Sequence, residues 1–317
     1  MTNAIELSRV TKRFGAKTAV DSIDLSVPEG SIYGFIGPNG SGKTTTLRMI
    51  LRIFQPDEGA VSVLGQMRGK TADNRLGYLP EERGLYKRMK VRDVLTYYAR
   101  LKGFYDCRSE IDYWLERLGA SAWTNKKIDA LSKGMAQKIQ FIASVVAKPK
   151  LVILDEPFSG LDPVNLDALR DAVFSLREEG TTIVFSTHDM DMAEKMCDTI
   201  FMIFNGKKVL DGTLNSIQEK YKADVVRVRV ERFPADGGVN QFGESPVPEI
   251  AGISNIEFDG RYHHFNLDDP GRVQEVLCKI SAQRLVSHFE VVKPSLHDIF
   301  VQIAGPAAQT DLVASRA

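Results

Sequence analysis

Cysteine is scarce in this chain: Cys107, Cys197 and Cys278 are the three, and no two of them form a C-x-x-C pair. Their scatter excludes a disulfide framework and a clustered-thiolate zinc site, and it fits a reducing compartment. Net charge is also missing, because 41 lysines and arginines meet 41 aspartates and glutamates over 317 residues. Without a basic field to attract phosphate backbones, composition gives no support for a nucleic-acid partner. No apolar run approaches the roughly 18–20 residues that cross a bilayer, and Met1-Thr2-Asn3-Ala4-Ile5-Glu6 lacks the basic and apolar regions of a signal peptide. A cytosolic chain is expected. No internal repeat is visible, and the length exceeds what one core usually fills, so one large domain plus a smaller one is anticipated.

What is present begins with Gly37-Pro38-Asn39-Gly40-Ser41-Gly42-Lys43-Thr44, a complete G-x-x-x-x-G-K-[ST] loop. The apolar Ser31–Ile36 run before it reads as a short buried strand, and Thr45 to Phe54 reads as a helix, which is the order such a loop requires. Glycines let the backbone turn with its N–H groups inward, and the helix that follows presents its positive end to a triphosphate. Lys43 supplies a cation for the β- and γ-phosphates, and Thr44 a hydroxyl ligand for Mg²⁺. The loop alone leaves ATP and GTP open.

Periodicity organises the rest. Ile5-Leu7 and Ile23-Leu25-Val27 alternate as strands, and Val61–Leu64 adds another. Helical spacing follows in Val91, Val94, Leu95 and Tyr98, in Ile111, Trp114, Leu115 and Leu118, and in Ile139, Ile142 and Val146. Strand and helix then alternate: Leu151–Leu154, a helix capped by Asp162 with Pro163 first, and Thr182–Phe185. Asn205-Gly206 between two apolar runs predicts a two-residue hairpin. The fold class is therefore α/β with a mostly parallel buried sheet. Beyond Gln218 a second domain is expected, with strands at Val226–Val230, Ile253–Phe258, Tyr262–Leu267 and Leu285–Val292, a helix bearing Val273, Val276, Leu277 and Ile280, and a last helix from Ser295 with Asp298 in a capping-box pattern. The small, polar residues 305–317 suggest a disordered tail.

The chemistry is narrowed by Asp155-Glu156, two carboxylates ending the apolar strand Leu151–Leu154. Asp155 would hold Mg²⁺ opposite Thr44, and Glu156 would act on an attacking water as general base. Ahead of them stands Leu131-Ser132-Lys133-Gly134-Met135, and behind them Ser159-Gly160-Leu161-Asp162 and Ser186-Thr187-His188. In this order the motifs resemble those of ATP-binding-cassette (ABC) ATPases: phosphate loop, signature, carboxylate strand, D-loop and switch histidine.

The resemblance implies a P-loop NTPase fold of the ABC type over residues 1–220. That fold has a β-rich N-terminal subdomain and an inserted helical subdomain at about 86–146, and here it precedes a small α+β domain at 221–304. It implies ATP as substrate and Mg²⁺ as cofactor. It makes Lys43, Glu156 and His188 the catalytic residues. Phe14, Gly37, Pro38, Asn39, Gly40, Ser41, Gly42, Lys43, Thr44, Thr45, Ser132, Gly134 and Asp162 become nucleotide-binding, and Thr44, Glu81 and Asp155 metal-binding. A histidine or phenylalanine after a strand is ordinarily a packing residue; here the resemblance assigns His188 to the γ-phosphate and Phe14 to the adenine, where the family usually has tyrosine.

Two departures stand out. Lys133 and Met135 replace the usual Gly and Gln of the signature, and Glu81 stands where the family offers Gln to the metal. A carboxylate is a harder ligand for Mg²⁺ than an amide, and it adds negative charge beside the γ-phosphate. Because one signature completes the phosphate site of a second subunit, the family pattern implies a homodimer or a pair with another ABC ATPase subunit. It further implies a separately encoded integral-membrane permease that holds the chain at the inner face of the membrane. Pro80–Tyr86, Leu-Ser-Lys-Gly and Ser295–Phe300 resemble bacterial two-component (ABC-2 type) exporter ATPases of the sodium-extrusion and antibiotic-resistance type, so export is expected. The alternative is a soluble cassette ATPase acting on a macromolecular complex. It would normally carry tandem cassettes, a coiled coil or a basic patch. A small-molecule kinase would need neither Leu131–Gly134 nor the D-loop.

Overall fold

The computed structural model describes residues 2–66, 73–82, 84–221, 225–231 and 251–314. Arg83, the 234–248 stretch read as a loop, and the last three positions lie outside them. The chain divides into two compact units, one of residues 1–217 and 303–317, the other of 218–302.

The first unit opens with β1 (Asn3–Phe14) and β2 (Lys17–Pro28), then β3 (Ile32–Ile36) and α1 (Lys43–Ile50). It continues through β4 (Glu58–Val63), β5 (Leu76–Leu79), α2 (Val91–Leu101), α3 (Arg108–Arg117) and α4 (Lys133–Val145). Then come β6 (Leu151–Asp155), α5 (Pro163–Glu178), β7 (Thr182–Thr187), α6 (Met190–Met196), β8 (Thr199–Phe204), β9 (Lys207–Gly212) and α7 (Leu214–Lys220). A six-stranded sheet of order β5-β6-β7-β3-β8-β9 lies at the centre, parallel throughout except for β9.

Both of its faces are buried, which is why β3, β6 and β7 are buried at every position and largely apolar. The period of two still assigns faces. Ile32, Val152, Leu154, Ile183 and Phe185 pack with Val94, Trp114, Ile142 and Leu169 of the helices. Tyr33, Phe35, Leu151, Ile153 and Val184 pack against Ile5, Val10, Ile23 and Val63 of the β2-β1-β4 sheet and against Leu47 and Ile50 of α1. The helix expected over residues 45–54 ends earlier, at Ile50. Arg52 takes a left-handed conformation (φ 60°), and the N–H groups of Ile53 and Phe54 turn back onto the Arg48 carbonyl. The Asn205-Gly206 hairpin forms between β8 and β9 with both residues at positive φ, 48° and 76°.

The second unit contains β10 (Val225–Glu231), β11 (Ile253–Phe258), β12 (His263–Leu267), α8 (Val273–Gln283) and β13 (Leu285–Val292). Its strands form an antiparallel sheet of order β11-β12-β10-β13. Val226, Val228, Phe265 and Leu267 point inward to Val276 and Ile280 of α8. Arg227 and His264 are register partners on the other face. α9 (Leu296–Ala314) starts with the anticipated capping box. The Ser295 hydroxyl accepts from the Asp298 N–H and the Asp298 carboxylate accepts from the Ser295 N–H, each at 3.1 Å. The helix breaks at Gly305 (φ 62°, ψ −162°) and resumes to Ala314, over residues whose sequence suggested a disordered tail; the alanines at 307, 308 and 314 favour helix.

Candidate functional site

The candidate site gathers at the carboxyl ends of β3, β6 and β7, the usual place for ligands on an open α/β sheet. After β3 the chain turns at Gly37, whose backbone (φ 155°) admits no side chain. A Cβ there would lie 2.2 Å from the Ile203 carbonyl oxygen. The loop is then braced by Ser41 N–H donating to the Pro38 carbonyl (3.2 Å) and by Gly206 N–H, at the β8–β9 hairpin, donating to the Ser41 carbonyl (2.9 Å). Gly42 (φ 114°) delivers the chain into α1, placing Lys43 first in that helix and Thr44 and Thr45 in its opening turn.

Lys43 is only 5% exposed. Its Nζ donates to the carbonyls of Gly37 (2.5 Å) and Pro38 (3.2 Å) and lies 3.9 Å from Glu156 Oε1. Burial lowers its pKa against the opposing pull of Glu156, Asp155 and Glu81. Ser41 Oγ is buried with no hydrogen-bond partner among the described residues, a cost that a phosphate oxygen would remove.

Asp155, at the end of β6, is 1% exposed. It accepts from Ser186 Oγ of neighbouring β7 and, at 3.4 Å, from Thr44 Oγ1. Glu156 leaves the strand in a left-handed conformation (φ 50°), which a non-glycine residue adopts only under constraint. Its N–H donates to the carbonyl (3.2 Å) and hydroxyl (3.1 Å) of Ser186. One serine hydroxyl thus orients both carboxylate residues, a role that sequence reasoning missed because only register places Ser186 beside Asp155. His188 Nδ1 is 3.0 Å from Glu156 Oε1. Burial raises the Glu156 pKa, with His188 and Lys43 opposing.

The remaining candidates approach from other elements. The loop after β5 carries Glu81 and is held by the buried Gln140 of α4, whose Nε2 donates to the carbonyls of Pro80 (3.2 Å) and Glu82 (3.1 Å). The Glu81 carboxylate is among the charges felt by Lys43. Phe14, at the end of β1, is 46% exposed, in an edge-type contact with Phe54 (centroids 5.4 Å apart, planes at 71°) and with Lys12 Nζ over its ring, 5.6 Å from the centroid. Ser132 and Asp162 cap α4 and α5. Gly134 sits against Leu161 and Asn165. Among the described residues, Ser132, Gly134 and Asp162 make no hydrogen bond to the 37–45 loop. The structure therefore brings Lys43, Thr44, Asp155, Glu156 and His188 together and leaves the signature without a hydrogen bond to them among the described residues.

Residues 20–159 match the family model described as "ABC transporter", and residues 212–304 match "ATP-binding protein DrrA1-3-like, C-terminal domain". The chain is 41% identical to the uncharacterized ABC transporter ATP-binding protein YhaQ of Bacillus subtilis (strain 168), over 95% of this chain and 98% of that one. It is 34% identical to the Nod factor export ATP-binding protein I of Paraburkholderia xenovorans (strain LB400), over 96% and 98%. A solved structure titled as the ATP binding subunit of an ABC transporter superposes with a TM-score of 0.65 at 28% identity, covering 69% of this chain and 93% of that one. The G-x-x-x-x-G-K-T loop, the paired carboxylates Asp155 and Glu156 and these likenesses agree: the chain belongs to the ATP-binding, ATP-hydrolysing subunits of ABC transporters.

Proposed function

We propose that this ATPase binds Mg²⁺-ATP at residues 37–45, closes on it as a head-to-tail dimer, and drives export through a separately encoded membrane permease. The observation that carries the site assignment is the cluster of buried Lys43 and Asp155 and largely buried Glu156 with the exposed His188 at its mouth, Lys43 Nζ and His188 Nδ1 both reaching Glu156 Oε1. The loop N–H groups and Lys43 hold the β- and γ-phosphates, and Phe14 stacks on adenine. The oxygens of Thr44, Asp155 and Glu81 form a hard donor set suited to Mg²⁺, which when bound neutralises phosphate charge. Glu156 takes the proton of the attacking water, and His188, hydrogen-bonded to it, orients that carboxylate beside the γ-phosphate. Ser132, Gly134 and Asp162, exposed or half-exposed and without contact to their own phosphate loop, complete the site of a second copy or of another ABC subunit.

Export is favoured by relatives named for Nod factor export and for daunorubicin/doxorubicin resistance, and by the DrrA-like C-terminal match. Among the described residues no helix is long and apolar enough to cross a membrane, so the translocation path is assigned to a partner and this chain to the inner face of the membrane. Tyr86, Tyr97 and Leu101, exposed together near the 81–84 loop, offer that partner an aromatic docking surface. No composition or motif points to nucleic acid. The test is Glu156→Gln with Mg²⁺-ATP in a sedimentation experiment: a stable dimer is expected, and a variant that stays monomeric at saturating ATP overturns the closure mechanism.

A further inference from the structure

The segment between Glu156 and α5 is clamped from one side by the head of α4 at three successive points. The buried Gln137 Nε2 donates to the Pro157 carbonyl at 3.0 Å. Gly134 lies against Leu161 and Asn165; a Cβ on it would meet them at 3.6 and 3.4 Å. Between these two, the Lys133 side chain runs across Gly160. A Cβ built on Gly160 would lie 2.7 Å from Lys133 Nζ, 3.0 Å from Cε and 3.7 Å from Cδ, so the contact exists only because residue 160 has none.

Gly160 is also the left-handed joint of the loop (φ 70°), the point at which the 157–162 backbone bends most freely. Lys133 is exposed and forms no hydrogen bond or ion pair among the described residues. It stands first in a helix with no acidic residue in its first turn, where the helix dipole disfavours a cation. A residue that breaks a local electrostatic rule and has no partner is doing something other than stabilising its own helix.

The geometry points to Lys133 as a positioning residue for hydrolysis: its side chain pins the Gly160 joint to α4, so that the signature and the loop leading back to Glu156 move as one body. The side chain that departs from the family's usual glycine is thereby given a task within the same subunit, one residue from those assigned to the partner's nucleotide. The inference rests on the composite-dimer reading only for what α4 meets on closure; the coupling itself lies within one chain.

The experiment compares steady-state ATP hydrolysis of the full chain with Lys133→Gly, Lys133→Met, Gly160→Ala and the double variant Lys133→Gly/Gly160→Ala. Lys133→Gly is expected to lower kcat by about five-fold or more with KM for ATP held within about two-fold, since the loop is misplaced while the phosphate site is intact. Lys133→Met, which keeps an unbranched chain over Gly160, restores most of the rate. The double variant is no slower than the slower single, because both changes break one contact. A wild-type kcat in Lys133→Gly, or losses that multiply in the double variant, would overturn the proposal. So would a lowered melting temperature with unchanged kcat, which marks a purely structural role. In a Glu156→Gln background, Lys133→Gly must still form the ATP dimer; losing it there means that Lys133 touches nucleotide directly and sinks the positioning role. If Glu156→Gln itself stays monomeric, the dimer reading fails, and the kinetic comparison still decides this one.

Discussion

Of the three sheets among the described residues, the central one of the first unit and the one of the second unit bury their residues by different rules. The central sheet of the first unit is covered on both faces, so β3, β6 and β7 are buried throughout and largely apolar, with Asp155, Ser186 and Thr187 gathered at the carboxyl ends of β6 and β7. The antiparallel sheet of the second unit is covered by α8 on one face. On the other, Arg227 pairs with Glu290 (2.6 Å), His288 with Glu290 (3.2 Å) and His264 with Asp259 (3.0 Å). Every non-glycine residue with positive φ among the described residues, Glu156 included, lies in the first unit. Strained backbone and buried charge meet at the end of one sheet, whereas the other pairs its polar residues on a solvated face, with Arg227 Nε buried and unpartnered among the described residues. The contrast favours the first unit as the place of the chemistry.

Glu156→Gln tests that contrast most severely. Removing the base should cut phosphate release by about 10²-fold or more, within the range seen for general-base loss. It should also stabilise the nucleotide-free protein. Burial raises the carboxyl's pKa, so the folded state holds the proton more tightly than the unfolded one. Stability is then lost as pH rises from the ordinary 4.5 through the raised value. Thermal melts should show the variant the more stable of the two at neutral pH and level with wild type below that window. A Glu156→Gln protein that melts lower at neutral pH would break the comparison.

Gly34→Ala probes the tightness of the parallel sheet. Its Cβ would fall 2.4 Å from the Sγ of Cys197, whose thiol pKa burial pushes up. Overpacking of this kind costs about 1–3 kcal/mol, and Cys197→Ala in the same chain should recover most of it. Denaturant unfolding would measure both. The smallest effect is expected in the second unit. Glu290→Gln removes an exposed ion pair and should move the melting temperature by no more than about 1–2 °C. A larger shift would mean that its outer face is structurally committed, unlike a solvated surface.

Much of this architecture is legible in sequence because burial on both faces writes itself as apolar runs. Leu151–Leu154 and Thr182–Phe185 foretell β6 and β7, Leu285–Val292 foretells β13, and Asn205-Gly206 foretells its hairpin. The site was legible where spacing along the chain is fixed by chemistry, as from Gly37 to Thr44 and at Asp155-Glu156. What sequence could not convey is what register and side-chain reach bring together. Ser186 steadies both carboxylate residues because β6 and β7 pair at Asp155 and Ser186. Gln140 holds the Glu81 loop from a helix whose periodicity suggested only packing. The left-handed Glu156 and the crossing of Lys133 over Gly160 leave no mark on hydropathy.

The hydrogen bond from Gly206 to Ser41 ties the phosphate loop to the last hairpin of the central sheet. A chain emerging from the ribosome carries the loop's letters almost at once, yet the backstop that shapes them arrives only with β8 and β9. A chain truncated before Gly206 would hold the motif without this brace, and weaker nucleotide binding is expected of it.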